Sequence, residues 1–247
     1  MSLCLCCPGQ QGRLLKLTKK DLPWVLGCAI LGMLTTNICF NISSTNLSLA
    51  FAAVLLSIAP VYTLIISRFT FGNPITVKKI ICVAMTIAGC ILVSGVIGSS
   101  VSLSLAGVIA GIISGISYGL YSIFSKKGTE GGLNALTITF YCMLIIAVVL
   151  APFSDYQVIA TYITAKPIQH VLFLILHSLC VGVLPYLLLT LSMRYLNPGT
   201  ATILASCEPV AAMIFGVLFF SEVPTVFSLI GLVVTVVALG ILCKDKE

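Results

Sequence analysis

One acid stands inside an apolar run long enough to cross a bilayer. It is Glu208, followed by Pro209, in TATILASCEPVAAMIFGVLFFSE over Thr200–Glu222. A carboxylate at the centre of a spanning helix costs about 2.5–3.5 kcal/mol on insertion scales, so acids there tend to serve a substrate, a proton or a neighbouring helix. Glu208 therefore has two candidate roles, a site for a substrate amine or proton and a structural acid bonded across helices. Helical steps of three and four line up Ala201, Ala205, Glu208, Ala212 and Gly216 on one face. Small residues suit a face packed against other helices, so the carboxylate is expected to meet protein or a water-filled cavity rather than lipid. Four further polar side chains lie within apolar runs. Tyr118 and Tyr121 are three apart and share a helix face. Asn37 lies in the outer half of the first run, and Tyr186 sits beside Pro185. The candidate substrate-binding set is Glu208, Tyr118, Tyr121, Asn37 and Tyr186.

Other spacings do not support chemistry. Gly115-Ile116-Ser117-Tyr118-Gly119 spells G-x-S-x-G, but a nucleophile elbow needs a strand before the serine, and here the motif lies inside one apolar helix. The glycines at 107, 111, 115 and 119 are better read as a packing face, with Gly111 and Gly115 as structural residues. His170 and His177 are seven apart with no third ligand, and the cluster Cys4, Cys6, Cys7 lacks a second pair. No metal site, cofactor or catalytic constellation is expected, and hence no enzyme.

The elements that must position the polar residues are membrane helices. Of 247 residues, 59% are hydrophobic and only 8% charged, against about 25% charged in soluble domains, and the mean hydropathy is +1.18. Eight spans are expected, Leu22–Ile42, Ser48–Phe71, Thr76–Ile97, Leu103–Ser125, Ala135–Pro152, Gln169–Leu191, Pro198–Phe220 and Val223–Cys243. The segment Phe153–Pro167 is expected to be an interfacial loop. With both termini cytoplasmic, twelve of the thirteen Lys and Arg residues fall inside and only Lys166 outside. That bias accounts for the net charge of +6 and removes the case for nucleic-acid binding. It points to an integral protein of the cytoplasmic (plasma) membrane.

The sequence also repeats. Shifted by 149 positions, Ser48–Thr86 lies over Asn197–Thr235 without gaps, with Ala52, Leu55, Ser57, Pro60, Ile65 and Thr86 on Ala201, Leu204, Ser206, Pro209, Ile214 and Thr235. Matched spans lie five apart, so they run in opposite directions, as in the inverted repeats of many secondary transporters. Pro60 and Pro209 are thus architectural, whereas Glu208 falls on Ala59 and has no acidic counterpart.

ATILASCEPVAAMIFGVLFFSE with its following glycine-containing span, and LSLAFAAVLLSIAPVYTLIISRFTFGNPIT in the first half, resemble the EamA repeat of the drug/metabolite transporter superfamily. Pro209, Glu222, Gly231 and Gly240 fit that pattern. Pro60 and Gly89 fit it too, while Asn73 stands where the family usually has glutamate. The resemblance implies an all-α polytopic fold, an N-terminally truncated form of a ten-helix inverted-repeat bundle in which the eight spans correspond to the third through tenth family helices. Its parts would be a cytoplasmic tail (1–21), a partial first repeat of three spans (22–97), a second repeat of five spans (103–243) and a short tail (244–247). It implies a secondary transporter, an exporter of a small polar or amphipathic metabolite by alternating access. The alternative is a non-transporting truncated member or a subunit needing a partner to complete the bundle. Expected partners are a small-molecule substrate, the lipid bilayer, and a second copy or completing subunit.

Overall fold

A computed structural model describes residues 17–47, 49–94, 104–208, 211, 213–215, 218 and 225–243. Described elements are all helical. We number the main helices by the expected span each occupies. They are α1 (Leu22–Asn46), α2 in two halves (Leu49–Leu56 and Ala59–Phe71), α3 (Val77–Val93), α4 (Leu105–Glu130), α5 (Ala135–Leu150), α6 (Pro167–Ser192), α7 (Pro198–Ala205) and α8 (Val226–Cys243). Six stretches among the described residues are long and apolar enough to cross a bilayer, those of α1, α2, α4, α5, α6 and α8. Described portions of α3 and α7 are shorter, with 17 and 8 residues. The chain is thus an all-helical integral membrane protein. Pro209 and Glu222 lie outside the described residues.

One expectation is corrected. The segment after α5 is not simply a loop, because Tyr156–Ala165 forms a further helix. Asp155 caps it by accepting from the backbone N–H groups of Gln157 and Val158.

The 149-residue offset is written into the backbone. Leu49–Leu56 and Pro198–Ala205 coincide under it, and so do the starts of α3 and α8 at Val77 and Val226. Both half-helices end in the same turn, at Ser57–Ile58 and Ser206–Cys207, where each serine hydroxyl donates back to a carbonyl four residues earlier, Ala53 and Thr202. Pro60 follows the first turn, removing a backbone donor where the helix restarts. Thr76 and Thr225 accept from the N–H groups of Lys79 and Ser228 at matched helix starts. Even the wide π-helical stretches of α1 and α6, Gly27–Leu34 and Ser178–Val183, overlap under the shift.

Contacts fix the directions. Val83, near the start of α3, shares an apolar cluster with Leu242, near the end of α8, so this pair crosses antiparallel. A Cβ on Gly231 would stand 2.7 Å from the Gly89 carbonyl oxygen; the backbones approach there as only glycine allows. Glycines of α4 do the same against the first half. Gly107 lies against Leu47, Gly111 against Leu55, Gly115 beside the Leu55 carbonyl and Gly119 beside Thr63. A Cβ on Gly32 of α1 would stand 2.8 Å from the Tyr121 Cα. The main buried cluster forms around this junction, from Val25, Cys28, Ala29, Met33, Tyr121, Ile138, Cys142 and Met193.

Candidate functional site

Tyr121 is the fixed point of the site. Its side chain is fully buried, and its hydroxyl lies 2.6 Å from Thr190 Oγ1 of α6, a hydrogen bond in which either group can donate. It also donates to the Tyr186 carbonyl at 3.4 Å, and its ring meets the Tyr186 ring edge-on at 5.1 Å. With its polar end taken by Thr190 and its ring enclosed, Tyr121 orients Tyr186 and offers no free surface to a ligand.

Tyr118, one turn earlier on α4, is half-buried. It packs with Tyr186 and Ala205 against the main cluster. Its hydroxyl makes no hydrogen bond among the described residues. Asn37 donates to the Met33 carbonyl at 2.8 Å, and its side chain meets that of Tyr186. Asn37 and Tyr186 are 149 positions apart, so each is the repeat counterpart of the other. Two counterparts that touch must lie at the axis relating the halves. An inverted repeat places its central path there.

Glu208 follows the Ser206–Cys207 turn, at the point where the broken helix of the second half restarts. It lies within electrostatic reach of Tyr118, Tyr186 and Cys90. Cys90 is itself anchored by an Sγ contact of 3.9 Å to the Ser206 carbonyl. Glu208 has crowded surroundings, yet its side chain stays accessible, whereas its counterpart Ala59 is 2% exposed. Among the described residues Glu208 makes neither a hydrogen bond nor an ion pair. The fold thus gathers Glu208, Tyr118, Tyr186 and Asn37 around one point, with Tyr121 behind them. Gly111 and Gly115 let α4 approach α2 closely at its flank, and Pro60 is buried where α2 restarts.

Cationic side chains occupy an end of the bundle instead. Lys126 donates to the carbonyls of Met193 and Leu196 at 2.8 and 3.2 Å. Lys127 sits 4.5 Å above the Phe71 ring, and Arg68 donates to the Gly72 carbonyl. Among the described residues no three His, Cys, Asp or Glu converge as a metal site. His170 stacks on Tyr162 with centroids 4.1 Å apart, and His177 lies against Phe173. Thr190 and Cys90 were not singled out from residue types, and Ser57 and Ser206 were legible only as a match within the gapless repeat.

The two halves are covered unequally. The most apolar stretch of α6 buries no residue. Its counterpart face on α1, Val25, Cys28, Ala29 and Gly32, is buried, while the matching Leu174, His177, Ser178 and Val181 are exposed. A cavity of about 360 Å³ opens beside Leu196 and Leu204, with Lys79, Tyr195, Thr200, Leu242 and Cys243. The counterparts of those two leucines, Leu47 and Leu55, carry Gly107 and Gly111 of α4.

The profile of the EamA-like transporter family matches residues 2–95 and 105–243. The uncharacterized transporter YdfC of Bacillus subtilis is 26% identical over 219 residues, covering 88% of this chain and 70% of YdfC. An uncharacterized transporter of Archaeoglobus fulgidus is 29% identical over 208 residues, covering 84% of this chain and 71% of its own. A crystal structure of another protein superposes with a TM-score of 0.70 at 15% identity, covering 89% of this chain and 75% of that one; it is similar in fold.

Proposed function

The chain belongs to the EamA-like transporter family, and from that premise we propose that it is a secondary transporter, an exporter, of a small polar or amphipathic metabolite. It works by alternating access about the site formed by Glu208, Tyr118, Asn37 and Tyr186, with Tyr121 as positioning residue. The observation that carries this reading is the approach of Asn37 to Tyr186, two repeat counterparts, beside Glu208, which has no ion pair among the described residues. Access alternates when the structure around such an axis opens first to one side and then to the other. The protein lies in the cytoplasmic membrane with both termini inside. That orientation follows from the Lys and Arg distribution, and reporter fusions at residue 247 and within 156–165 test it.

Activity is tested by comparing the intracellular and extracellular small molecules of cells expressing the wild type or Glu208→Gln at equal levels. At least one metabolite is expected to move outward with the wild type and not with the variant; identical profiles overturn the reading. If Glu208 also carries a coupling proton, an imposed pH gradient drives wild-type export and leaves Glu208→Gln unaffected. Unchanged pH dependence in the variant ends the coupling role.

The uncovered face of α6 and the cavity at Leu196 and Leu204 favour a second reading. In it, a helix pair outside these residues, or a partner subunit, completes the bundle before transport occurs. Proteoliposomes containing only this chain separate the two, because export by the chain alone excludes an obligatory partner.

A further inference from the structure

The geometry points to an organic cation, an amine or quaternary ammonium bearing an apolar or aromatic substituent, as the ligand of the Glu208 site. This rests on the site described above and narrows what it accepts. Glu208 is an acid in a membrane helix with no hydrogen bond or ion pair among the described residues. Such a group lacks the partner that ordinarily offsets its cost. A bound cation supplies that partner directly. The surroundings suit a cation's other needs. Tyr118 and Tyr186 lie within electrostatic reach of the carboxylate, and aromatic rings attract cations through their faces. The Tyr118 hydroxyl, with no hydrogen bond among the described residues, and the Asn37 amide oxygen can meet a polar N–H or hydroxyl on the same ligand. The rings of Tyr118 and Tyr186 pack with Ala205 against the main apolar cluster and offer surface to a hydrocarbon or aromatic portion.

Among the described residues an anionic ligand finds no counter-charge there. Lys126 is held by two backbone carbonyls, Lys127 by the Phe71 ring and Arg68 by Gly72, all at the cationic end of the bundle. The acid is also confined to one half, because the position equivalent to Glu208 is the buried Ala59. Among the described residues the site therefore holds a single carboxylate and matches a single positive charge.

Three ligands of similar size and different charge test the class. Benzyltrimethylammonium, phenylacetate and phenylalanine are titrated against the purified full chain in lipid nanodiscs by calorimetry. The cation is expected to bind at least tenfold more tightly than phenylacetate, with the zwitterion between them. Glu208→Gln, nearly isosteric, is expected to weaken the cation by about tenfold or more while leaving the thermal midpoint in place. Tyr118→Phe is expected to retain most of the affinity and Tyr118→Leu to lose several-fold, as a ring-face contact requires. Equal or tighter binding of phenylacetate, or an unchanged cation affinity in Glu208→Gln, overturns the assignment. Its failure is distinguishable from failure of the transport reading. Export of anions would keep transport and remove the cation class, whereas tight cation binding without movement across proteoliposomes would do the reverse.

Discussion

The two halves share a backbone plan and differ in what covers it. In the first half, α1 and α2 lie under the glycine face of α4, so Ala59 and Ala29 are buried. In the second, the same positions carry Glu208 and Ser178, and both are exposed. Symmetry has been kept where helices begin, break and cap, and given up where side chains meet a neighbour. Repeat positions that share both a turn and a residue are thus architectural, and the position that shares the turn but not the residue, Glu208 against Ala59, is the one the proposed site uses.

Swapping residues between the halves tests this contrast. The largest effect is expected from Ala59→Glu, which puts the second half's acid into the first half's closed position. A buried, unpaired charge there costs more than about 4 kcal/mol, and the variant should fail to give a folded, monodisperse peak on gel filtration. Gly32→Leu comes next, because its side chain would collide with the Tyr121 backbone. A loss of about 3 kcal/mol is expected from overpacking, read as a lowered thermal midpoint. The matched Val181→Leu, on an exposed surface, should stay within about 0.5 kcal/mol. If both shift the midpoint equally, the faces are not differently covered. Tyr121→Phe removes the partner of buried Thr190 and is expected to cost about 1–3 kcal/mol, with weaker substrate affinity following from a looser Tyr186. Thr76→Ala and Thr225→Ala remove equivalent caps and should each cost about 1 kcal/mol. Clearly unequal losses would show that equal backbone geometry does not mean equal support in the two halves.

Much of the fold was legible in the sequence because bilayer chemistry constrains it strongly. Long apolar runs, cationic ends and a gapless repeat with proline on proline lead to an all-helical bundle. The helix Tyr156–Ala165 was less visible, since a short helix beside the membrane carries no spanning signal and its cap depends on one residue, Asp155. The site was legible as residue types and not as roles. Tyr118 and Tyr121 look alike at a spacing of three, yet Thr190, 69 positions away, occupies the hydroxyl of Tyr121, while that of Tyr118 has no hydrogen bond among the described residues. No local pattern announces that distinction. The contact between Asn37 and Tyr186 was implicit in their 149-residue separation, but only folding shows that counterparts touch.

The crossing of α3 and α8 has a mechanical consequence. Gly89 and Gly231 bring two backbones together at a joint built from both repeats, and the Thr235 hydroxyl is seated in the notch that Gly89 leaves. A joint of that kind works as a pin in a socket: it fixes the register of one helix on the other, and bulk introduced at either glycine would unseat the pin and force the pair apart.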